Sequence, residues 1–92
     1  SDVVFVDPRP AEAIASTTGI IPGAYNVGLA DIVAGKLPEK FADQSIHVVT
    51  ACQGGPMGAV AAHNFSKLGF SNVNYVEGGT GGWVEAGYPT ER

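Results

Sequence analysis

Residues 46–58 read IHVVTACQGGPMG, and this stretch decides the fold. Its first five residues are rich in β-branched side chains, which is typical of a buried strand. A glycine-rich turn follows, and the apolar spacing over 59–68 predicts a helix. Because strands that alternate with helices form parallel sheets with helical crossovers, the stretch indicates an α/β domain.

The flanking sequence continues this alternation. Further strands are predicted at 3–6, 25–27 and 72–76, and further helices at 10–16, 29–34 and 81–86. The helix over 59–68 carries an apolar stripe that should face the sheet. The members of this stripe, by helical spacing, are Val60, Ala61, Asn64, Phe65 and Leu68.

Length and charge narrow the function classes. The 92 residues predict a single domain over 1–92, and 45% of them are hydrophobic, which is a globular composition. Nine acids against five bases give a net charge of −4, which argues against nucleic acid and anionic membrane surfaces as partners. No signal peptide and no membrane-spanning run is visible, and one cysteine forms no internal disulfide. We therefore expect a cytoplasmic protein.

The only cysteine, Cys52, lies where a reactive thiol would be placed. In open parallel sheets, ligands bind beyond the carboxyl ends of strands, and Cys52 directly follows a predicted strand. Backbone N–H groups in the turn and the helix N-terminus both favour an anion, and the thiolate is the nucleophilic form of cysteine. We expect a solvent-reachable thiol that reacts or carries an anionic adduct. The residues predicted to surround its sulfur are Gln53, Gly54, Gly55, Pro56, Met57 and Gly58, of which Pro56 has no N–H to donate.

Two acidic residues are predicted beside Cys52. Asp7 and Glu77 each follow an apolar strand, so both should lie along the same rim of the sheet. Asp7 and Arg9 are candidates either for a structural ion pair or for a role at the rim. Glu77 is either a pocket residue or a solvated turn carboxylate.

The remaining chemistry-bearing residues favour structural interpretations. His47 is expected to be partly buried, His63 solvated and Trp83 part of the core. No third ligand stands at metal spacing, so neither a metal site nor a cofactor is predicted. Met57 either packs at the start of the apolar stripe or shapes the mouth of the pocket.

Five segments, taken in order, resemble the rhodanese-like sulfurtransferase family. Val6-Asp7-Pro8-Arg9 is similar to the family's Asp-x-Arg, and residues 21–27, IPGAYNV, are similar to its Ile-Pro-Gly-Ala-x-Asn. Cys52 begins the active-site loop, and residues 68–73, LGFSNV, resemble Leu-Gly-Phe-x-Asn-Val. Gly78-Gly79, Trp83 and residues 86–89 resemble the closing motif.

The resemblance implies a parallel sheet flanked by helices and a cysteine that carries sulfur. In such chemistry Cys52 accepts a sulfane sulfur, forms a persulfide and passes the sulfur to a nucleophile. The implied partners are a sulfane-sulfur donor and a thiol or protein acceptor. The family's usual first strand and helix are not visible, which leaves about four strands and an open sheet edge; we therefore expect a dimer or an attached domain.

The sequence departs from the family pattern at the active site. Met57 and Gly58 stand where the loop usually has Arg and Ser or Thr, and Ile20 stands where His precedes Ile-Pro-Gly. Without the guanidinium, we expect poor use of thiosulfate, better use of a persulfide donor, and no support for phosphatase activity. The alternatives are a non-catalytic binding or regulatory module and a redox sensor that acts through sulfenylation of Cys52.

Overall fold

The computed structural model of the protein describes residues 3–52 and 56–91. Its strands are β1 (Val3–Asp7), β2 (Tyr25–Asn26), β3 (His47–Thr50) and β4 (Val73–Tyr75). Its α-helices are α1 (Ala11–Ala15), α2 (Leu29–Ala34), α3 (Pro56–Lys67) and α4 (Gly79–Glu85), and a 3₁₀ turn spans Glu39–Ala42. All strand pairs are parallel, in the order β2-β1-β3-β4, which confirms the predicted α/β sheet flanked by helices.

The strand register brings the carboxyl ends of β1, β3 and β4 to one edge. Val6 pairs with Thr50, and Thr50 pairs with Tyr75. Beyond the strands, the Ala51 N–H donates to the Val6 carbonyl at 2.9 Å and the Val76 N–H donates to the Thr50 carbonyl at 2.8 Å. These bonds continue the ladder up to the position of Cys52, so the segment before the cysteine is fixed on both sides.

The core lies between the sheet and the helices on one of its faces. Strand side chains alternate between faces, and the buried ones on β1 and β3 include Val4, Val6 and Val48. Three phenylalanine rings fill the space next to them: Phe65 of α3 lies 5.7 Å from Phe41 and 5.3 Å from Phe70 between ring centroids. Such contacts stabilise the docking of α3, and α3 begins at the edge where the strands end.

The stripe on α3 differs from the predicted one. The helix begins at Pro56, and its buried residues are Gly58, Ala61, Ala62 and Phe65. The prediction of a buried Val60 is wrong, because its side chain is 48% exposed. Three of these four buried residues are small and let the helix backbone approach the sheet closely, so side-chain size alone was a misleading guide to orientation.

The opposite face of the sheet is covered more thinly. Phe5 contacts Trp83 of α4 edge to face, with ring centroids 5.9 Å apart. Trp83, which was predicted as part of the core, is partly buried, and its indole N–H donates to the Pro89 carbonyl at 2.8 Å. An indole N–H usually finds such an acceptor when its ring is buried.

Asp43 and Ser45 form a hydrogen-bonded turn before β3, and the described helices are shorter than a bilayer requires. Hydrogen bonds from the Ser45 hydroxyl and N–H lower the pKa of the exposed Asp43 in the connection before β3. Among the described residues, no helix combines the length and the apolar character needed to cross a bilayer.

Candidate functional site

Cys52 lies two residues beyond β3, at the edge where the strands end. Its backbone carbonyl accepts a hydrogen bond from the N–H of Thr80 near the start of α4. Its side chain is buried, with 4% of the residue exposed. The expectation of a solvent-reachable thiol is therefore wrong.

The first turn of α3 packs directly against this strand end. The Thr50 hydroxyl donates to the Gly58 carbonyl at 2.6 Å. A Cβ built on Gly58 would lie 3.5 Å from both the Cys52 nitrogen and the Thr50 carbonyl oxygen. N–H groups in a first helical turn have no acceptor within their own helix.

Part of the predicted loop is described and part is not. Gln53, Gly54 and Gly55 lie outside the described residues, so their predicted inward-facing amides stay a prediction. Pro56 is exposed, and Met57 is 36% exposed. Met57 thus does not pack into the buried stripe of α3, which leaves its side chain at the surface beside the start of the helix.

Replacing Gly58 with alanine is expected to raise the free energy of unfolding by up to about 1 kcal/mol. The added methyl group finds ordinary contact distances of 3.5 Å, and alanine restricts the unfolded chain more than glycine does. Urea denaturation measures the change. Gly87→Ala is the matched control: its surroundings are open but its φ is +93°, so it should lose stability. A Gly58→Ala variant as destabilised as this control would contradict the packing described.

Asp7 and Arg9 form a buried structural ion pair. The Arg9 Nη2 lies 2.7 Å from Asp7 Oδ2, and its Nε donates to Asp7 Oδ1 at 2.9 Å. The guanidinium also donates to Thr18 Oγ1 at 3.0 Å and to the Gly19 carbonyl at 3.2 Å. Asp7 is 2% exposed and Arg9 5% exposed, so neither side chain is offered to a ligand at the rim.

Asn26 completes this cluster, and the sequence analysis missed it. Its side-chain amide donates to the Asp7 carbonyl at 3.0 Å and to the Arg9 carbonyl at 2.7 Å. These bonds tie the short strand β2 to the segment after β1. The signal was present in the segment 21–27, where a polar amide follows the apolar Ile-Pro-Gly turn.

Glu77 and the two histidines have the exposures that their structural interpretations predict. Glu77 follows β4 and is exposed, as a solvated turn carboxylate would be. His47 is partly buried, with its Nε2 2.6 Å from Asn74 Oδ1, and His63 is exposed. Within residues 3–52 and 56–91, no group of three His, Cys, Asp or Glu side chains is placed to hold a metal ion.

Thr80 is a second residue that sequence reasoning missed. It is fully buried, and its N–H bonds the Cys52 carbonyl. Its hydroxyl has no hydrogen-bond partner in the part of the chain that the structure describes. A hydroxyl-bearing residue within the glycine-rich run 78–82 was the available signal.

Comparison with known proteins places this geometry in context. The sequence model described as "Rhodanese-like domain" matches residues 1–86. No curated protein matches the chain. Among solved structures, a protein of unknown function from Rhodopseudomonas palustris, described as a possible tyrosine phosphatase, is 32% identical; the match covers 99% of this chain and 72% of that one, with a TM-score of 0.87.

Two further structures share the fold. A rhodanese-related protein from Thermoplasma volcanium is 28% identical, with a TM-score of 0.74 over 95% of this chain and 81% of that one. A Rhodanese_3-like domain from Anabaena is 23% identical, with a TM-score of 0.83 over 99% of this chain and all of that one.

Proposed function

The chain belongs to the rhodanese-like domain family, and on that basis we propose that it carries or transfers sulfane sulfur as a persulfide on Cys52. The observation that carries the proposal is the position of Cys52. It is the only cysteine, and it lies at the carboxyl end of β3 against the first turn of α3. The proposed partners are a sulfane-sulfur donor and a thiol or protein acceptor.

The proposed chemistry is a pair of displacements at sulfur. The Cys52 thiolate attacks the outer sulfur of a donor persulfide, R–S–SH, so that a new S–S bond forms and the donor's own S–S bond breaks. The donor leaves as the thiolate R–S⁻, and Cys52 becomes a persulfide. An acceptor thiolate then attacks the outer sulfur and releases the Cys52 thiolate, so no external oxidant or reductant is consumed.

The burial of Cys52 adds a requirement to this scheme. With 4% of the residue exposed, the sulfur must become reachable before it can attack a donor or be attacked by an acceptor. Between transfers, the same burial shields a bound persulfide from other thiols. The geometry therefore suits a carrier that holds its sulfur better than it suits a thiol that is open at all times.

Met57 determines which donor is proposed. A loop guanidinium would pair with a doubly charged donor such as thiosulfate, and Met57 has no charge to offer. Its side chain is 36% exposed, which makes the local surface apolar. A low-molecular-weight or protein persulfide therefore fits this site better than thiosulfate does.

Replacing Met57 with arginine is expected to raise kcat/KM for thiosulfate by about 10-fold or more, the effect of one hydrogen bond to a charged group. The position is exposed, so the longer side chain needs no space in the core. Steady-state assays with thiosulfate and with cysteine persulfide measure the change, and Met57→Leu is the neutral control. Equal thiosulfate rates for all three proteins would contradict the assigned role of position 57.

A non-catalytic binding or regulatory module is the second candidate, favoured by the burial of Cys52 and by Met57. A single-turnover experiment separates the two: the protein is exposed to cysteine persulfide, desalted, and mixed with a thiol acceptor. Transfer of one sulfur per chain supports the carrier, and no transfer supports the binding module. Tyrosine phosphatase activity, named for the Rhodopseudomonas relative, is not proposed, because position 57 provides no guanidinium for phosphate.

A further inference from the structure

The Thr80 hydroxyl is a buried polar group whose hydrogen-bonding capacity is unused within the described residues. Thr80 is fully enclosed, and its Oγ1 has no hydrogen-bond partner among residues 3–52 and 56–91. Buried hydroxyls in folded proteins nearly always have a partner, so an exception calls for an explanation. A ligand that occupies the site only part of the time is one such explanation.

Thr80 is also fixed beside the reactive residue. Its N–H donates to the Cys52 carbonyl, which joins the start of α4 directly to the cysteine. The preceding Gly79 N–H donates to the Val76 carbonyl at 2.8 Å, and Val76 is in turn bonded to Thr50. These backbone hydrogen bonds place Thr80 next to Cys52 and connect it to the end of β3.

Thr50 provides an internal comparison. It is the same residue type, it is equally buried, and it lies two residues before Cys52. Its hydroxyl is satisfied, because it donates to the Gly58 carbonyl at 2.6 Å. Two buried threonines thus adjoin the same cysteine; the Thr50 hydroxyl has a structural partner, and the Thr80 hydroxyl has none among the residues that the structure describes.

We propose that the Thr80 hydroxyl donates a hydrogen bond to the sulfur that Cys52 carries, which makes Thr80 a binding residue for the persulfide. This inference rests on the proposed sulfur-carrier function. A hydroxyl rotates freely to aim its hydrogen at a new acceptor, and hydrogen bonds to an anion are stronger than those between neutral groups. The bond forms when the persulfide anion is present and is absent in the sulfur-free protein.

The test compares Thr80→Val with the wild-type protein in the intact chain. Valine keeps the shape of threonine and removes the hydroxyl. Each protein is equilibrated with cysteine persulfide in excess cysteine, and the loaded fraction is read by intact-mass spectrometry. We expect the loading equilibrium constant of Thr80→Val to fall about 10-fold, the lower range for a hydrogen bond to a charged partner. The melting temperature of the sulfur-free variant should not fall, because no existing bond is lost.

Two matched variants complete the design. Thr80→Ser keeps the hydroxyl and should restore most of the loading, and Thr50→Val should lower the melting temperature because it removes a satisfied bond. If Thr80→Val loads as well as the wild type, or if it loses as much stability as Thr50→Val, the inference is overturned and the sulfur-carrier function still stands. If the wild type itself takes no sulfur, the proposed function fails and the inference fails with it.

Discussion

Replacing Arg9 with methionine is expected to lower the free energy of unfolding by about 3–5 kcal/mol. The variant leaves the Asp7 carboxylate buried at 2% exposure without the guanidinium that now bonds both of its oxygens. Burying an uncompensated charge is among the most costly single changes, and small domains have only about 5–15 kcal/mol to lose. Urea denaturation followed by circular dichroism measures the loss.

The double variant Asp7→Asn with Arg9→Met separates the charge from the packing. It removes both charges and keeps side chains of similar size, so it should recover a large part of the stability lost in the single variant. Lys36 is exposed, and Lys36→Met is the control for removing a positive charge from the surface. If Arg9→Met costs no more than Lys36→Met, the ion pair does not stabilise the fold as described.

Replacing Cys52 with alanine is expected to reduce sulfur transfer from cysteine persulfide to the uncatalysed background. The proposed reaction passes through a covalent bond to this sulfur, and the chain contains no other cysteine that could substitute for it. The comparison is a steady-state assay of wild type and variant at equal concentration. Cys52→Ser should be equally inactive, because a hydroxyl does not replace the thiolate as the nucleophile.

The fold of these variants needs its own control, because Cys52 is buried. Removing its sulfur loses packing, and we expect a melting temperature that is lower but still cooperative. Ala62 of α3, which is buried like Cys52, provides the control. Ala62→Gly should lower the melting temperature to a similar extent and retain sulfur transfer. Transfer that persists in Cys52→Ala would contradict the covalent route.

The strands of this fold could be predicted from local sequence patterns. The β-branched run before Cys52 predicted β3, and the apolar runs 3–6 and 72–76 predicted β1 and β4 within two residues of their ends. These signals are local because strand propensity and turn residues depend on neighbours along the chain. The parallel arrangement then followed from the alternation of strands with helices.

The sequence did not predict correctly which side chains are buried. Val60 looked like a core residue, yet the small residues Gly58 and Ala61 face the sheet, because close approach of the helix matters more there than side-chain volume. The Cys52 thiol was expected at the surface but is buried, and the N–H of Thr80, 28 residues away in the chain, donates to the Cys52 carbonyl. Contacts of this kind are set by tertiary packing, which no local pattern encodes.

The buried pair of Asp7 and Arg9 was predicted only in part. Two opposite charges at i and i+2 around a proline indicated an ion pair. The full set of acceptors, including Thr18 and the Gly19 carbonyl, depends on how the loop after α1 folds back over the guanidinium. The sequence thus predicted the ion pair but not its burial or its further hydrogen-bond acceptors.

Mass spectrometry of the persulfide-treated protein tests the sulfur-carrier account most directly. After brief exposure to cysteine persulfide and desalting, the intact chain should be heavier by one sulfur atom, and peptide mapping should place that atom on the fragment that contains Cys52. The added mass should vanish on treatment with an acceptor thiol. An unchanged mass in the correctly folded wild-type protein would contradict the account.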